Sequence, residues 1–233
     1  MKVLNLSRKR IIALIIAMGI FFTFALNNTA FAEELYEDKS FVYIQRTNDN
    51  RVDMSCYDYN VYSKTSNNTW EGVKWGYYLT QGQLFWHSSK SINGIVPNTI
   101  VSCYAASTST AHIWYAVPTV SAWESMGMDF FDRDRLFAIT IPCDTSGLEI
   151  TGATYKRSGG LIRSANIYFN PELSKSDVRA LNNANPAVTV AHELGHAIGF
   201  GHVYNKESIM AQGIKTYTSL QRHDATCLKN KYR

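Results

Sequence analysis

One stretch of the chain reads His192-Glu193-Leu194-Gly195-His196-Ala197-Ile198-Gly199-Phe200-Gly201-His202. Its first two histidines are four residues apart, so on a helix they lie on one face about one turn from each other. Gly199 lets the backbone leave the helix, because glycine takes a positive φ without a steric penalty, and His202 then supplies a third nitrogen. Three protein ligands with one open position are typical of a catalytic zinc site, and Glu193 stands where a carboxylate reaches water at the ion.

The flanking residues predict the helix that this geometry requires. Asn185 and Pro186 are the residue types favoured at a helix N-cap and at the first helical position. An apolar stripe that can face a core follows at offsets of 4, 3 and 4, at Ala187, Ala191, Leu194 and Ile198. Gly199 stands where a left-handed residue ends a helix. The histidine pair is therefore expected on one well-bounded helix.

The pattern His192-Glu193-x-x-His196-x-x-Gly199-x-x-His202 resembles the zinc signature of the metzincin metallopeptidases. That family also needs a Met-turn, whose methionine forms an apolar floor under the imidazoles, and Ser208-Ile209-Met210 fits it. The spacing between His202 and Met210 is similar to that of the matrixin (matrix metalloproteinase-like) branch. An ordinary buried methionine is the alternative for Met210 considered alone.

The resemblance implies an α+β fold with a twisted mixed sheet, a long backing helix, the zinc helix, the Met-turn and a C-terminal helix. The residues predict strands at 41–44, 83–87, 137–141, 149–155 and 165–169. A Ser174–Asp177 capping pair precedes a helix at 178–181. The backing helix is expected within 98–126, and the last helix is expected to be capped by Thr218 or Ser219. By chain order, 149–155 is the expected edge strand, with which a peptide pairs as an added strand.

The N-terminus indicates export. A basic segment precedes an apolar run at 11–26, and Ala30-Phe31-Ala32 gives a small-x-small cleavage pattern. A membrane anchor is the alternative, but the run is shorter than the roughly 20 residues that span a bilayer. We predict a signal peptide at 1–32, an N-terminal extension at 33–69 and a catalytic domain at 70–233. The protein is then secreted and extracellular, without a stable membrane anchor after cleavage.

Charge argues against a nucleic-acid partner. Residues 1–32 hold four of the 23 Lys and Arg and none of the 19 Asp and Glu, which leaves 19 of each sign in the rest of the chain. A formal net charge of zero offers no basic surface for nucleic acid. About 200 mature residues suffice for one domain. We expect a monomer whose partner is a protein or peptide substrate.

The cysteines suit an exported protein. Four cysteines without a CxxC pair predict two disulfides among three possible connectivities, at Cys56, Cys103, Cys143 and Cys227. We predict the pairs Cys56–Cys103 and Cys143–Cys227. In the alternative, Cys56 ligates zinc as a matrixin propeptide cysteine does, although its neighbours do not match that motif.

The resemblance implies a single catalytic Zn²⁺. Vertebrate matrixins hold a structural zinc and calcium in a loop rich in His, Asp and Gly, whereas residues 145–170 have no histidine and one acidic residue, Glu149. We therefore predict neither a structural zinc nor calcium. His87, His112 and His223 have no partners at ligand spacing and are predicted to be surface or packing side chains.

The function that the resemblance implies is a secreted zinc metalloendopeptidase. Glu193 is the expected general base, which takes a proton from zinc-activated water and passes it to the leaving amine. Gly199 and Met210 are expected to be structural. One alternative is a catalytically silent zinc-containing binding or adhesion protein on the same scaffold. Another, compatible with an enzyme, is that the tyrosine-rich stretch 41–62 binds carbohydrate or peptide.

Overall fold

The computed structural model describes residues 42–45, 52–58, 75–87, 100–104, 111–125, 136–150, 160–204 and 207–232. Its strands are β1 (Val42–Tyr43), β2 (Val52–Asp58), β3 (Ile100–Tyr104), β4 (Ile113–Ala116), β5 (Ala138–Cys143), β6 (Leu161–Ile162) and β7 (Ser164–Phe169). Its helices are α1 (Trp75–His87), α2 (Val120–Ser125), α3 (Lys175–Asn183), α4 (Pro186–Ala197) and α5 (Arg222–Lys231). The predicted α+β class is confirmed.

The main sheet is mixed, as the fold class requires. Its strand order is β3-β2-β4-β7-β5. Neighbouring strands run parallel from β3 to β7, and β5 runs antiparallel to β7. Strands β1 and β6 form a separate parallel pair. Strand β5 therefore lies at one edge of the described sheet.

The inner strands bury one face against the helices. Ile113 and Tyr115 in β4 and Ile167 and Phe169 in β7 are all buried, with half-buried residues between them. This period of two is expected of strands that cover a core on one side. Phe169 stacks on Trp75 with 4.3 Å between ring centroids, which attaches α1 to the sheet.

Helix α1 packs closely against α4, the helix that carries the histidine pair. A Cβ atom added at Gly82 would lie 2.5 Å from Cβ of Val190, so glycine permits this approach. Trp86 is fully buried, and its Nε1 donates a hydrogen bond of 2.7 Å to the Ala191 carbonyl. The contact fixes the back of α4 and leaves its opposite side for the site.

Two predicted elements were wrong. Residues 83–87 form the end of α1 rather than a strand. Over the whole helix the buried residues recur every three or four positions, as a helix requires: Trp75, Leu79, Gln83 and Trp86. The range 98–126 holds β3, β4 and the short α2 rather than a long helix. Helix α1, between β2 and β3, is the helix that packs behind α4.

The edge strand predicted at 149–155 is described only at Glu149 and Ile150, so the strand as a whole stays a prediction. Among the described strands β5 is outermost, and Glu149 pairs with it through an isolated bridge to Cys143. The Asp144 carboxylate accepts from the N–H groups of Ser146 and Leu148, so the chain turns back sharply after β5. Residues 151–159 lie outside the described part of the chain.

Other local predictions are confirmed with shifted bounds. The strands predicted at 137–141 and 165–169 correspond to β5 and β7, and Ser174 caps α3 by accepting from the Asp177 N–H at 3.1 Å. The last helix is capped by Gln221 rather than by Thr218 or Ser219, because the Asp224 carboxylate accepts from the Gln221 N–H.

The predicted signal peptide and N-terminal extension fall largely outside the described residues. Strand β2 falls within the predicted extension at 33–69, yet it pairs between β3 and β4 and so contributes to the main sheet. The predicted signal peptide at 1–32 lies outside the described residues. Among the helices that are described, none is both long and apolar enough to cross a membrane.

The predicted disulfide between Cys143 and Cys227 is wrong. The two sulfurs are not bonded to each other: Cys143 is buried at the end of β5, and Cys227 lies in α5 with its sulfur 3.6 Å from Nε2 of His223. Cysteine order along a chain does not determine pairing. The side chains of Cys56 and Cys103 lie outside the described part, so that pair stays a prediction.

The tight contact between α1 and α4 predicts that Gly82→Ala destabilises the fold by about 1–3 kcal/mol, although alanine favours helices. Urea unfolding measures this. The exposed Gln81→Ala is the matched control and should change stability by less than about 0.5 kcal/mol. Adding Val190→Ala to Gly82→Ala should recover part of the loss. Equal stability of Gly82→Ala and Gln81→Ala would contradict the packing.

Candidate metal centre

Helix α4 begins and ends where its sequence requires. The Asn185 side chain accepts from the Ala187 N–H at 3.2 Å, and Pro186 occupies the first turn. At the other end Gly199 has a φ of 83°, and its N–H donates to the His196 carbonyl at 2.9 Å. A second bond from Phe200 N–H to the Gly195 carbonyl completes a Schellman motif. The chain is thereby turned back toward α4.

The three histidines meet at their Nε2 atoms. His196 Nε2 lies 3.1 Å from that of His192 and 3.2 Å from that of His202, and the third separation is 3.3 Å. Nitrogen ligands about 2.0–2.1 Å from a tetrahedral zinc are about 3.3–3.4 Å apart. The donor set and its spacing therefore fit zinc with one open position, and the triad is the metal-ligand cluster found in the described residues.

The opposite ring nitrogens orient the imidazoles. His192 Nδ1 lies 2.7 Å from the Ile209 carbonyl, and His196 Nδ1 lies 2.8 Å from the Phe200 carbonyl. A carbonyl accepts only from a protonated nitrogen, so both rings direct the lone pair of Nε2 toward the centre. His202 Nδ1 lies 3.2 Å from the side-chain nitrogen of Gln212. With the amide rotated by 180°, the Gln212 carbonyl oxygen would accept from His202 Nδ1 in the same way.

Burial keeps these rings neutral. Burial, with smaller effects from the neighbouring rings, lowers the pKa of His192 well below its usual value. The same causes lower the pKa of His196 to about 3. Burial, followed by the Lys215 charge, lowers the pKa of His202 to about 4. Neutral imidazole is the form that binds a metal, so the triad is ready for a cation at neutral pH.

Glu193 lies beside the triad on α4 and is 6% exposed. The Thr140 hydroxyl of β5 lies 2.7 Å from its Oε2 and 3.0 Å from its backbone carbonyl. Burial raises the pKa of Glu193 to about 7, against the opposing effects of the Thr140 hydrogen bond and the Lys215 charge. A carboxyl group with a pKa near neutrality is able both to take and to release a proton.

A turn at 208–210 closes the other side of α4. The Asp224 carboxylate accepts from the Ser208 hydroxyl and from the Ile209 N–H, the latter at 3.0 Å. Met210 is 2% exposed, and its sulfur would lie 2.2 Å from a Cβ atom added at Gly195. Glycine between the two helical histidines is therefore required for this methionine to approach.

These groups open onto a cleft of about 490 Å³. Strand β5 and the residues before it form one wall, α4 forms the base, and the segment after the turn forms the other wall. The lining residues are Leu136, Phe137, Ala138, Ile139, Thr140, Val188, Thr189, His192, Glu193, His196, His202, Gln212, Gly213 and Lys215. The edge strand and the triad thus share one cleft.

The structure brings together His192, Glu193, His196 and His202 as expected. It places His112 and His223 elsewhere, with Nε2 of His112 3.8 Å from the Asp53 carboxylate. His87 ends α1, and its side chain is not described.

Sequence reasoning missed several supporting residues: Trp86, Thr140, Gly195, Gln212, Lys215 and Asp224. Only Gly195 carried a local signal, because glycine inside a helix costs about 1 kcal/mol relative to alanine. The others are brought to the site by tertiary packing.

The family model described as Matrixin matches residues 111–233. The matched segment runs from β4 to the end of the chain and includes the triad, Glu193 and Met210. The chain therefore belongs to the matrixin family, and the resemblance inferred from the zinc signature is confirmed. Matrixins are zinc metallopeptidases, which act on proteins or peptides. A search of curated proteins found no match.

The triad predicts that His202→Ala lowers zinc affinity by more than roughly 100-fold. Loss of a residue that only hydrogen-bonds to a ligand already costs up to about that factor, and loss of the ligand itself costs more. Elemental analysis after dialysis against a zinc buffer measures the bound ion. His223→Ala is the matched control and should keep the zinc content of the unmodified chain. Full zinc retention by His202→Ala would exclude this residue as a ligand.

Proposed function

We propose that the protein is a secreted zinc metalloendopeptidase that hydrolyses peptide bonds within protein substrates. The observation that carries the proposal is the convergence of three Nε2 atoms beside a buried Glu193 in a cleft bordered by a sheet edge. His192, His196 and His202 would hold the zinc. Met210 and Gly199 would keep their geometry without taking part in the chemistry.

Each residue of the cleft has a distinct task in this proposal. A bound zinc would polarise the scissile carbonyl and lower the pKa of water toward roughly 7. Glu193 takes the proton from that water and delivers it to the leaving amine. Thr140 holds Oε2 of Glu193 by a hydrogen bond and so fixes the carboxyl group in the lining of the cleft. The outer side of β5 pairs with the substrate backbone and positions it along the cleft.

Export is supported by the basic segment, apolar run and small-x-small pattern at 1–32. The proposal places the enzyme outside the cell, where it meets protein substrates after the signal peptide is removed.

The role of Glu193 predicts that Glu193→Gln lowers kcat by about 10²–10⁴-fold, because the amide cannot take a proton. The zinc content should remain, since no ligand is changed. Release of fluorescent fragments from labelled casein measures the activity, and a chelator should abolish it in the unmodified chain. Unaltered turnover by Glu193→Gln would contradict the assignment. Zinc binding with no casein cleavage by the unmodified chain would favour the silent binding protein.

The hydrogen bond from Thr140 predicts that Thr140→Val lowers kcat by roughly tenfold, because Oε2 of Glu193 loses its partner. Thr140→Ser keeps the hydroxyl and is the matched control, with activity near that of the unmodified chain. Casein cleavage compares the three proteins after zinc loading. Equal activity of the valine and serine variants would show that the hydroxyl is not needed.

A further inference from the structure

Lys215 stands in the wall of the cleft opposite β5. It is half-buried and lines the same cleft as the triad and Glu193. Its position is held by its backbone, because the Lys215 carbonyl accepts from the Asn185 N–H at 3.3 Å. The Tyr217 carbonyl accepts from the Asn185 side chain at 2.5 Å, which attaches the same segment to the start of α4. The ammonium group is therefore carried on an anchored segment.

Lys215 has no close carboxylate partner within the described residues. Its Nζ donates to the Gly213 carbonyl at 2.6 Å, which uses one of three donors. No carboxylate in the described ranges forms an ion pair with it. The acidic groups that attract its charge are Asp224 and Glu193. Asp224 already accepts from Ser208, Ile209 and Gln221, and Glu193 accepts from Thr140.

A half-buried cation with free donors favours an anionic ligand in a cleft where Glu193 is the acidic residue among the described lining. Apart from Glu193 and the histidines, Lys215 is the ionisable residue among the described cleft lining. Burial lowers the pKa of Lys215 to about 8, against the attraction of Asp224 and Glu193, so the group is still mainly cationic at neutral pH. A carboxylate that enters the cleft loses hydrogen bonds to water but gains charge-assisted hydrogen bonds from the Lys215 ammonium group.

We propose that Lys215 is a specificity-determining residue that binds a substrate carboxylate next to the scissile bond. This inference rests on the proposed peptidase function. Two sources supply the same chemistry: the side chain of Asp or Glu, and the free C-terminus of a peptide. The first would make the enzyme select acidic sequences, and the second would favour cleavage near a C-terminus.

Binding to zinc-loaded protein with Glu193→Gln tests the preference without turnover. Two fluorescent peptides share one neutral sequence and differ only in a central Glu or Gln. We expect the Glu peptide to bind about tenfold more tightly or better. The preference should be lost in Lys215→Gln and kept in Lys215→Arg. Lys175→Gln, which removes an exposed charge at the start of α3, is the matched control and should keep it.

A second peptide pair identifies the source of the carboxylate. The Gln peptide is truncated after its central residue and made either as a free acid or as an amide. A preference for the Glu peptide supports side-chain recognition, and a preference for the free acid supports C-terminal recognition. Equal binding within both pairs, or any preference that survives Lys215→Gln, would overturn the proposal.

Casein cleavage by the zinc-loaded chain without the Glu193 change separates this inference from the proposed function. Cleavage combined with equal peptide binding overturns the role of Lys215 alone. Absence of cleavage combined with a Lys215-dependent preference overturns the peptidase and retains a carboxylate-binding cleft. If Lys215 only tunes the metal centre, Lys215→Gln changes binding of both members of a pair by the same factor, which contradicts the proposal.

Discussion

The left-handed turn at Gly199 is the constraint on which the site depends. Two histidines on one helix face supply two ligands, but a third must come from beyond the helix. Gly199, with a φ of 83°, ends α4 and returns the chain so that His202 reaches the other two rings. A residue with a Cβ atom would adopt this conformation only at a cost of about 1–2 kcal/mol. The turn therefore determines whether three histidine nitrogens, or only the two on α4, can bind the same ion.

Contacts around α4 hold the three imidazoles in position. Trp86 bonds to the Ala191 carbonyl from one side, and Met210 packs against Gly195 from another. Carbonyl groups of Ile209 and Phe200 orient two of the rings through Nδ1. The buried Asp224 holds the turn that presents Ile209, so α5 also supports the site. Ligand geometry is thus produced by tertiary contacts from helices α1 and α5 as well as by the motif itself.

The sequence correctly predicted those parts of the fold that depend on interactions between neighbouring residues. The caps of α4, the glycine at its end and the β-branched run of β5 are confirmed because each depends on neighbours within a few residues. Residues 83–87 were assigned to a strand because a run of only three apolar residues, at 84–86, fits either period, whereas the buried face of α1 extends over three turns. The order of strands in the sheet and the cleft position of Thr140 and Lys215 arise from long-range packing, which residue spacing does not encode.

X-ray absorption at the zinc edge of the zinc-loaded chain shows whether three imidazoles bind one zinc and leave a position open. We expect three imidazole nitrogens at about 2.0–2.1 Å from the zinc and a further light atom from solvent. A sulfur neighbour at about 2.3 Å, as Cys56 would provide, or fewer than three imidazoles, would contradict this expectation.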